Sequence, residues 1–429
     1  MARLVVTGPA TDGLPLSVVQ VYVEGGATRG PPGIAHLTEH LHFRRKDVFR
    51  KCYEFAGQAN AWTGLDAVCY HVSLPHDRVE EGIRFLIQDV LLGSAVDRVT
   101  ASEIESESRT VLTEQRMRNG DPAAWLFRRA FKTTFGGATA FDDVADAHRF
   151  SPAEVADYHA RTYIPSAMTV VLCSPLPRHF LAKAVATSVA DLVKHAKRRA
   201  PRERERERER EVALAREVAS ARRLSTSGVR YRDFPRVTDS PENANLLVNW
   251  CTGEYYSDYC RQVRGTRRIA RVLALELLAF VLGGSLCSEL FQKLRTEMNM
   301  VYRVSAYTSP GKTRSLFSVS TNCLAVHVDP VSAAILSVVE EMARHGPGAF
   351  ESHKSNFVVT TTDHLASSNA AWCTICASMH RLHGITDVDH VTYLNVAASL
   401  TRHDVVHAAR RALVADGRCT VNRTIGHRG

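Results

Sequence analysis

The 429-residue sequence predicts an α+β protein with two homologous halves, each a mainly antiparallel sheet with helices packed on it. Short apolar, β-branched runs alternate along the chain with longer segments whose apolar residues recur at helical spacing. The order of these segments repeats in outline in the second half. A charged segment separates the copies, so we expect an N-terminal half at 1–195, a linker at 196–227 and a C-terminal half at 228–429.

The first half begins with strands and continues with mixed elements. A turn rich in Gly, Pro and Asp separates the first two strands, and Pro31-Pro32-Gly33 announces the first helix. The predicted strands lie at 4–6, 17–23, 59–63, 67–74 and 169–173, and the predicted helices start near 34 and lie at 77–92, 101–118 and 180–192.

Charge and apolar patterns also predict the linker and the elements of the second half. Residues 202–211 alternate strictly between Arg and Glu, which is neutral within itself and typical of a solvated segment. The predicted strands of the second half lie at 246–250, 301–305, 316–321 and near 420, and the predicted helices at 269–281, 331–344, 352–381 and 402–414. Cys373 and Cys376 are expected on adjacent turns of a core helix, because a structural zinc knuckle would need a second cysteine pair.

Composition excludes several classes of protein. With 45% apolar and 23% charged residues, the chain has the balance of a globular protein with a sizeable core. No apolar run approaches the roughly 18 residues of a spanning helix, and the first residues lack a secretory pattern, so we expect a cytoplasmic protein without a membrane partner. The net charge of +9 comes without a nucleic-acid-binding motif, so no nucleic-acid partner is expected.

The chemical signal of the first half is a histidine pair on the predicted helix near residue 34. His36 and His40 stand four residues apart, so they share one face of a helix and can both reach a zinc ion at about 2.0–2.1 Å. Glu39 lies next to His40, where it can act on water held by the metal; this is the inverted form of the zincin helix. His42 faces about 160° away from His40 and is expected not to be a ligand.

The helix predicted at 101–118 offers a third ligand. Glu107 and Glu114 are seven residues apart and therefore lie on the same face, two turns from each other. One carboxylate can bind zinc while the other orients a ligand histidine or the water. Helical spacing alone does not choose between them.

The sequence resembles the inverzincin peptidases, a family that includes pitrilysin, insulysin and mitochondrial processing peptidase. The resemblance covers nearly the whole chain. It is carried by the zinc-helix stretch from Gly33 to Phe43, by Asn60-Ala61-Trp62-Thr63, by Glu107 and Glu114 around Val111, by Tyr163-Ile164-Pro165 with Met168, and by Leu282-Gly283-Gly284 followed by Arg295 and Tyr302.

The resemblance implies a metal site and a catalytic role for each acidic residue. One Zn²⁺ per chain would be held by His36, His40 and Glu114. Glu39 would be the general base that takes a proton from water and passes it to the leaving amine. Glu107 would support catalysis from nearby.

The resemblance also implies how a peptide is held. Asn60 and Ala61 would pair with the substrate backbone by strand addition, and Phe43 would line the pocket for the residue after the scissile bond. Arg295 and Tyr302 would hold the substrate backbone and the oxyanion. A family member of this length forms half of a closed chamber, which implies a dimer. A homodimer is favoured over a heterodimer with a related chain, because this chain carries both residue sets.

The function predicted from these residues is that of a zinc metalloendopeptidase acting on extended or unfolded peptides, with removal of a leader or processing of a precursor as a narrower version. The alternative is a non-catalytic, peptide-binding or scaffold subunit of a heterodimeric processing peptidase, since the family includes chains without the metal site. His36, Glu39, His40 and Glu114 are all present, which favours the enzyme.

Overall fold

The computed structural model describes residues 2–8, 15–45, 47–135, 150–197, 228–237, 240–312, 314–386, 388–415 and 418–427. The Arg-Glu run of the predicted linker lies outside these residues. The described part of the chain forms two compact units, each built on its own sheet.

The first sheet has five strands, arranged in the order β1-β5-β2-β4-β3. They are β1 (Arg3–Thr7), β2 (Leu16–Val23), β3 (Gln58–Thr63), β4 (Val68–Pro75) and β5 (Met168–Cys173). Only the pair β1–β5 is parallel among the pairings of this sheet, so the sheet is mixed and mainly antiparallel. Strand β3 ends the order and forms one edge of the sheet.

The second sheet repeats this arrangement. Its order, β6-β10-β7-β9-β8, is that of the first sheet with five added to every strand number, and its outer pair β6–β10 is again parallel. The strands are β6 (Gly228–Val237), β7 (Asn243–Cys251), β8 (Val301–Ser309), β9 (Leu316–Leu324) and β10 (Arg418–His427). The predicted fold class, an α+β chain with two similar halves, is confirmed.

Helices cover the sheets and build the cores. In the first half of the chain they are α1 (Ile34–Phe43), α2 (Val48–Glu54), α3 (Val79–Arg84, extended by the π-helical Phe85–Leu92), α4 (Ala101–Asn119), α5 (Pro122–Phe135), α6 (Pro152–Thr162) and α7 (Arg178–Lys197). In the second half they are α8 (Thr266–Gly283), α9 (Glu289–Phe291, extended by Gln292–Glu297), α10 (Val328–His345), α11 (Phe350–Ser367), α12 (Asn369–His383), α13 (His390–Ser399) and α14 (Arg402–Ala409, extended by Arg410–Val414).

Each compact unit takes one helix from the other half of the sequence. Helix α12 belongs to the unit of the first sheet, where the fully buried Trp372 donates from Nε1 to Thr7 Oγ1 at 2.9 Å. Cys373 and Cys376 are buried on the same helix. Helix α5 belongs to the unit of the second sheet, where Leu126 packs with Leu247 of β7.

The structure corrects one helix prediction and adds elements. The single helix expected at 352–381 is two helices, because the Ser368 hydroxyl accepts a hydrogen bond from the Ala371 amide and caps α12. The strand β6 and the helices α2, α5, α6, α9 and α13 were not predicted. Within the described residues, no helix combines the length and apolar character that crossing a membrane requires.

Candidate metal centre

Helix α1 carries the histidine pair and is buried along most of its length. Gly33, just before the helix, has φ 88°, a conformation that glycine adopts without the steric cost of a side chain. Leu37 and Leu41 pack in an apolar cluster with Val155 and neighbouring residues, which fixes the rotation of the helix. His36 and Glu39 are only 4% and 8% exposed.

Helix α4 lies beside α1 and presents its two predicted glutamates. Ile104 and Val111 are buried on one side of α4, while Glu107 and Glu114 contact the histidines of α1. Arg44, just after α1, forms an ion pair with Glu103 near the start of α4. This pair joins the end of one ligand-bearing helix to the beginning of the other.

The structure brings the three predicted ligand side chains together. Glu114 Oε2 lies 3.3 Å from His36 Nε2 and 3.5 Å from His40 Nε2. One ligand atom from each residue falls in a group whose members all lie within 4.8 Å of one another. Two ligands of a tetrahedral zinc at 2.0–2.1 Å stand about 3.3 Å apart, so the distances and the His₂Glu donor set both fit this ion. Ligation itself stays a prediction.

Glu107 contacts the other side of the same histidine. Its Oε2 lies 3.7 Å from His40 Nδ1, whereas Glu114 faces His40 Nε2. A carboxylate beside Nδ1 favours the tautomer with the proton on that nitrogen and leaves Nε2 as the donor atom for a metal. Between the two glutamates, the geometry therefore makes Glu114 the better candidate ligand and gives Glu107 an orienting position.

The surrounding charges shift the pKa values of His40 and Glu114 in opposite directions. Burial lowers the pKa of His40, but Glu107, Glu39 and Glu114 together outweigh burial and raise it overall. The hydrogen bond with His36 is the largest of the effects that lower the pKa of Glu114, to about 2, so this carboxylate is ionised under ordinary conditions. Metal binding must displace any proton on His40, as is general for histidine ligands.

Glu39 is a buried carboxylate with one strong donor. Its Oε2 accepts a hydrogen bond from Thr63 Oγ1 at 2.6 Å, and both residues are buried. Burial raises the pKa of Glu39, although His36, Thr63 and His40 act in the opposite direction. A carboxylate whose pKa is raised accepts protons more readily near neutral pH, which suits a general base.

A cavity of about 470 Å³ opens beside this group. Its lining includes the predicted substrate-binding residues Phe43, Asn60 and Ala61. The ring of Phe43 stacks on that of Phe49, with centroids 5.4 Å apart and planes at 14°. Phe49 was missed by the sequence reasoning, because a single aromatic residue on a short helix carries no pattern that points to a pocket.

Two further lining residues were also not assigned a role from the sequence. Thr63 was quoted only as part of a motif, and its position at the end of β3 brings its hydroxyl to Glu39. Arg118 also lines the cavity. Its spacing of four residues from Glu114 on a helix was a signal that could have identified it.

The other singled-out residues lie elsewhere. His42 is fully buried, its Nδ1 is 2.7 Å from the Thr38 carbonyl, and it is not part of the metal-binding group. Arg295 and Tyr302 belong to the unit of the second sheet, where the Arg295 guanidinium lies 5.8 Å from the centre of the Tyr302 ring. Tyr302 is 77% exposed. Their role in holding a substrate stays a prediction.

Comparison with known proteins relates both halves of the chain to one family. Residues 9–147 match the family model described as insulinase (peptidase family M16). Residues 149–357 match the model described as the peptidase M16 inactive domain. The metal-binding group lies entirely within the first match.

Curated relatives are similar over most of this chain. An uncharacterized zinc protease of Mycobacterium bovis is 25% identical over 325 residues, which cover 73% of this chain and 66% of that protein. An uncharacterized zinc protease of Streptomyces coelicolor is 22% identical over 325 residues, covering 73% of this chain and 64% of that protein. The chain thus matches slightly less than two thirds of the length of these relatives.

Solved structures share the fold at low sequence identity. A protease from Helicobacter pylori superposes with a TM-score of 0.77 at 16% identity, covering 98% of this chain and 96% of that one. A structure described as a peptidase M16 inactive domain, from Pseudomonas fluorescens, gives a TM-score of 0.73 at 15% identity, covering 99% and 95%. With the two family models in sequence order and the shared fold, the chain belongs to the M16 family of peptidases, in its short form with two halves.

Proposed function

We propose that this chain is a zinc-dependent metalloendopeptidase that hydrolyses peptide bonds in extended or unfolded peptides. The observation that carries the proposal is the convergence of His36 Nε2, His40 Nε2 and Glu114 Oε2, with the buried Glu39 carboxylate on the same helix. Three protein ligands beside a cavity are the arrangement of a catalytic zinc site, which keeps a further position open.

Each residue of the group has a separate task in this proposal. His36, His40 and Glu114 would hold one zinc ion, which when bound acidifies water and polarises a carbonyl group. Glu39 takes a proton from the attacking water and delivers it to the leaving amine. Thr63 holds the Glu39 carboxylate in one orientation, and Glu107 does the same for the His40 ring.

The edge of the first sheet supports recognition of an extended peptide. Strand β3 ends the sheet and carries Asn60 and Ala61 on the wall of the cavity. A peptide added beside this edge would be held mainly through its backbone, which recognises extended chains with little dependence on sequence. The stacked Phe43 and Phe49 offer an apolar surface for a side chain next to the scissile bond. This geometry is compatible with the narrower role of leader removal or precursor processing.

The rest of the proposal concerns assembly. Arg295 and Tyr302 would bind the substrate backbone and the oxyanion in a complete chamber of two chains. We favour a homodimer, because one chain carries both this pair and the metal-binding group, with a heterodimer of related chains as the alternative. The proposed location is the cytoplasm.

A second candidate function is that of a non-catalytic peptide-binding or scaffold subunit. The family model matching residues 149–357 is described as an inactive domain. That match does not include His36, Glu39, His40 or Glu114, which supports catalysis by the first half of this chain.

The experiment that tests the proposal compares the wild type with Glu39→Gln on a fluorescence-quenched peptide. The amide keeps the shape of the side chain but does not accept the proton, so we expect a loss of roughly 10²–10⁴-fold in turnover with zinc still bound. Chelation should abolish wild-type cleavage, and added zinc should restore it. Glu105→Gln, an exposed substitution on α4, is the matched control. A folded wild type that binds zinc without cleaving peptides would support the non-catalytic candidate.

A further inference from the structure

The two oxygens of the Glu114 carboxylate face different partners. Oε2 is directed at the Nε2 atoms of His36 and His40, at 3.3 and 3.5 Å. Oε1 lies 2.6 Å from Nη2 of Arg118, one helical turn further along α4. The guanidinium therefore contacts the oxygen that is turned away from the two histidines.

This division matters because a carboxylate can bind a metal through one oxygen or through two. A catalytic zinc site has three protein ligand groups and leaves a position for water or substrate. If Glu114 bound through both oxygens, its second oxygen would compete for that position. The ion pair between the Arg118 guanidinium and Oε1, with an N–O distance of 2.6 Å, opposes such a rotation, because the rotation would separate the two charges.

We propose that Arg118 is a positioning residue that keeps Glu114 a one-oxygen ligand and so preserves the coordination position needed by water. The inference rests on the proposed zinc function and extends it to a residue outside the predicted ligand set. Arginine suits this task, because its guanidinium stays charged at all ordinary pH values and its donors are fixed in a plane.

The same helix contains a pair that shows what an ordinary surface contact looks like. Arg109 and Glu105 are also four residues apart on α4 and also form an ion pair, but their side chains are 71% and 60% exposed, against 51% for Arg118 and 32% for Glu114. Exposed pairs at this spacing contribute little to stability. Glu105 is not a member of the metal-binding group. Arg109→Gln therefore removes an equivalent helical pair without touching the candidate site.

The experiment measures metal coordination in the full-length chain. Wild type, Arg118→Gln, Arg118→Lys and Arg109→Gln are stripped with a chelator and reloaded with Co²⁺, whose visible absorption bands report the coordination number. Zinc affinity is measured by competition with a chromophoric chelator, and kcat and KM are measured on the zinc-loaded proteins.

We expect the Co²⁺ spectra of wild type and Arg109→Gln to coincide. In Arg118→Gln the bands should change in position or intensity, because the second Glu114 oxygen either replaces the water or adds a fifth ligand atom. The value of kcat should fall about 10–100-fold, the usual cost of removing a group that orients a ligand. KM should change little. Lysine can still donate to Oε1, so Arg118→Lys should recover the wild-type spectrum at least in part.

Two outcomes overturn the inference, and they can be told apart. If the wild type binds one zinc ion and Arg118→Gln matches Arg109→Gln in spectrum, affinity and kcat, then Arg118 is only a surface partner of Glu114, and the proposed peptidase function stands. If the folded wild type binds neither Co²⁺ nor zinc, the proposed function fails and takes this inference with it. Should Arg118→Gln fold poorly, Arg118→Met, which also lacks a donor to Oε1 and keeps a long side chain, replaces it in the same comparison with Arg109→Gln.

Discussion

Replacing Thr63 by valine tests whether the hydrogen bond from the Thr63 hydroxyl to the Glu39 carboxylate matters for catalysis. Valine keeps the β-branched shape at the end of β3, so the strand and the cavity wall should be preserved. The change removes the 2.6 Å hydrogen bond from the Thr63 hydroxyl to Glu39 Oε2, in a place where both residues are buried. The Glu39 carboxylate then loses the group that fixes its orientation.

The size of the effect follows from the type of bond. A hydrogen bond to a charged group contributes about 1.5–3 kcal/mol. At about 1.36 kcal/mol for each factor of ten, the loss in kcat/KM should be roughly 10–150-fold if the bond acts fully in the transition state. The assay is cleavage of a quenched peptide by zinc-loaded protein, with Thr63→Ser as the control that retains the hydroxyl. Equal kcat/KM values for Thr63→Val and Thr63→Ser, at equal zinc content, would refute the reasoning.

Two further predictions concern the second unit. Arg295→Gln should lower kcat/KM by roughly 10–100-fold without changing zinc content, because a charged donor to the substrate is lost. Arg303→Gln, an exposed change on strand β8 just after the helix that carries Arg295, should not lower it, and equal effects of both would remove Arg295 from the substrate site. The Glu276 carboxyl, which accepts a hydrogen bond from Tyr393, has its pKa raised by burial from 4.5 to about 7. The contribution of this carboxyl to stability is complete below about pH 4.5 and is lost as the pH rises through 7. Chemical denaturation should therefore show that wild-type stability declines more steeply across this range than that of Glu276→Gln. Parallel curves would contradict the raised pKa of Glu276.

Local sequence patterns predicted the elements whose side chains are buried in a regular order. Strand β4 alternates between buried and partly exposed residues along its second half, which is the pattern that predicts a strand. Strand β6 was missed because its residues are mostly exposed and include Arg230, Arg232, Asp233 and Arg236. It exists through parallel pairing with β10 at the other end of the second half, a long-range contact that no local pattern contains.

Helices α5 and α6 were also not predicted from the sequence, for two different reasons. Helix α6 is preceded by Ser151, which forms a capping box with Glu154, a pattern that the sequence itself contains. Helix α5 has apolar residues at helical spacing, including Leu126, Ala130 and Phe131. Its packing on the second sheet, rather than the first, depends on the exchange of helices between the units and is not encoded in its own periodicity.

The candidate site, too, combines features that local sequence spacing predicts with features that depend on how the helices pack. The four-residue spacing of His36 and His40 is a local property of one helix, so the sequence could place both rings on one face. Glu107 and Glu114 share a face of α4, and spacing gave them equal standing. The family resemblance implied Glu114 as the ligand. The packing of α4 against α1 supplies the physical distinction, since it sets Glu114 against Nε2 of both histidines and Glu107 against Nδ1 of His40.

The central claim is that His36, His40 and Glu114 form a zinc site, and zinc content measured on purified protein after dialysis tests it most directly. The account predicts one zinc ion per wild-type chain and a largely metal-free Glu114→Ala variant, because two histidines alone hold the ion weakly. Glu107→Ala should still bind zinc, with affinity reduced about 10–100-fold, since it loses only a group that orients His40. A wild type without zinc, or a metal-free Glu107→Ala beside a zinc-loaded Glu114→Ala, would contradict it.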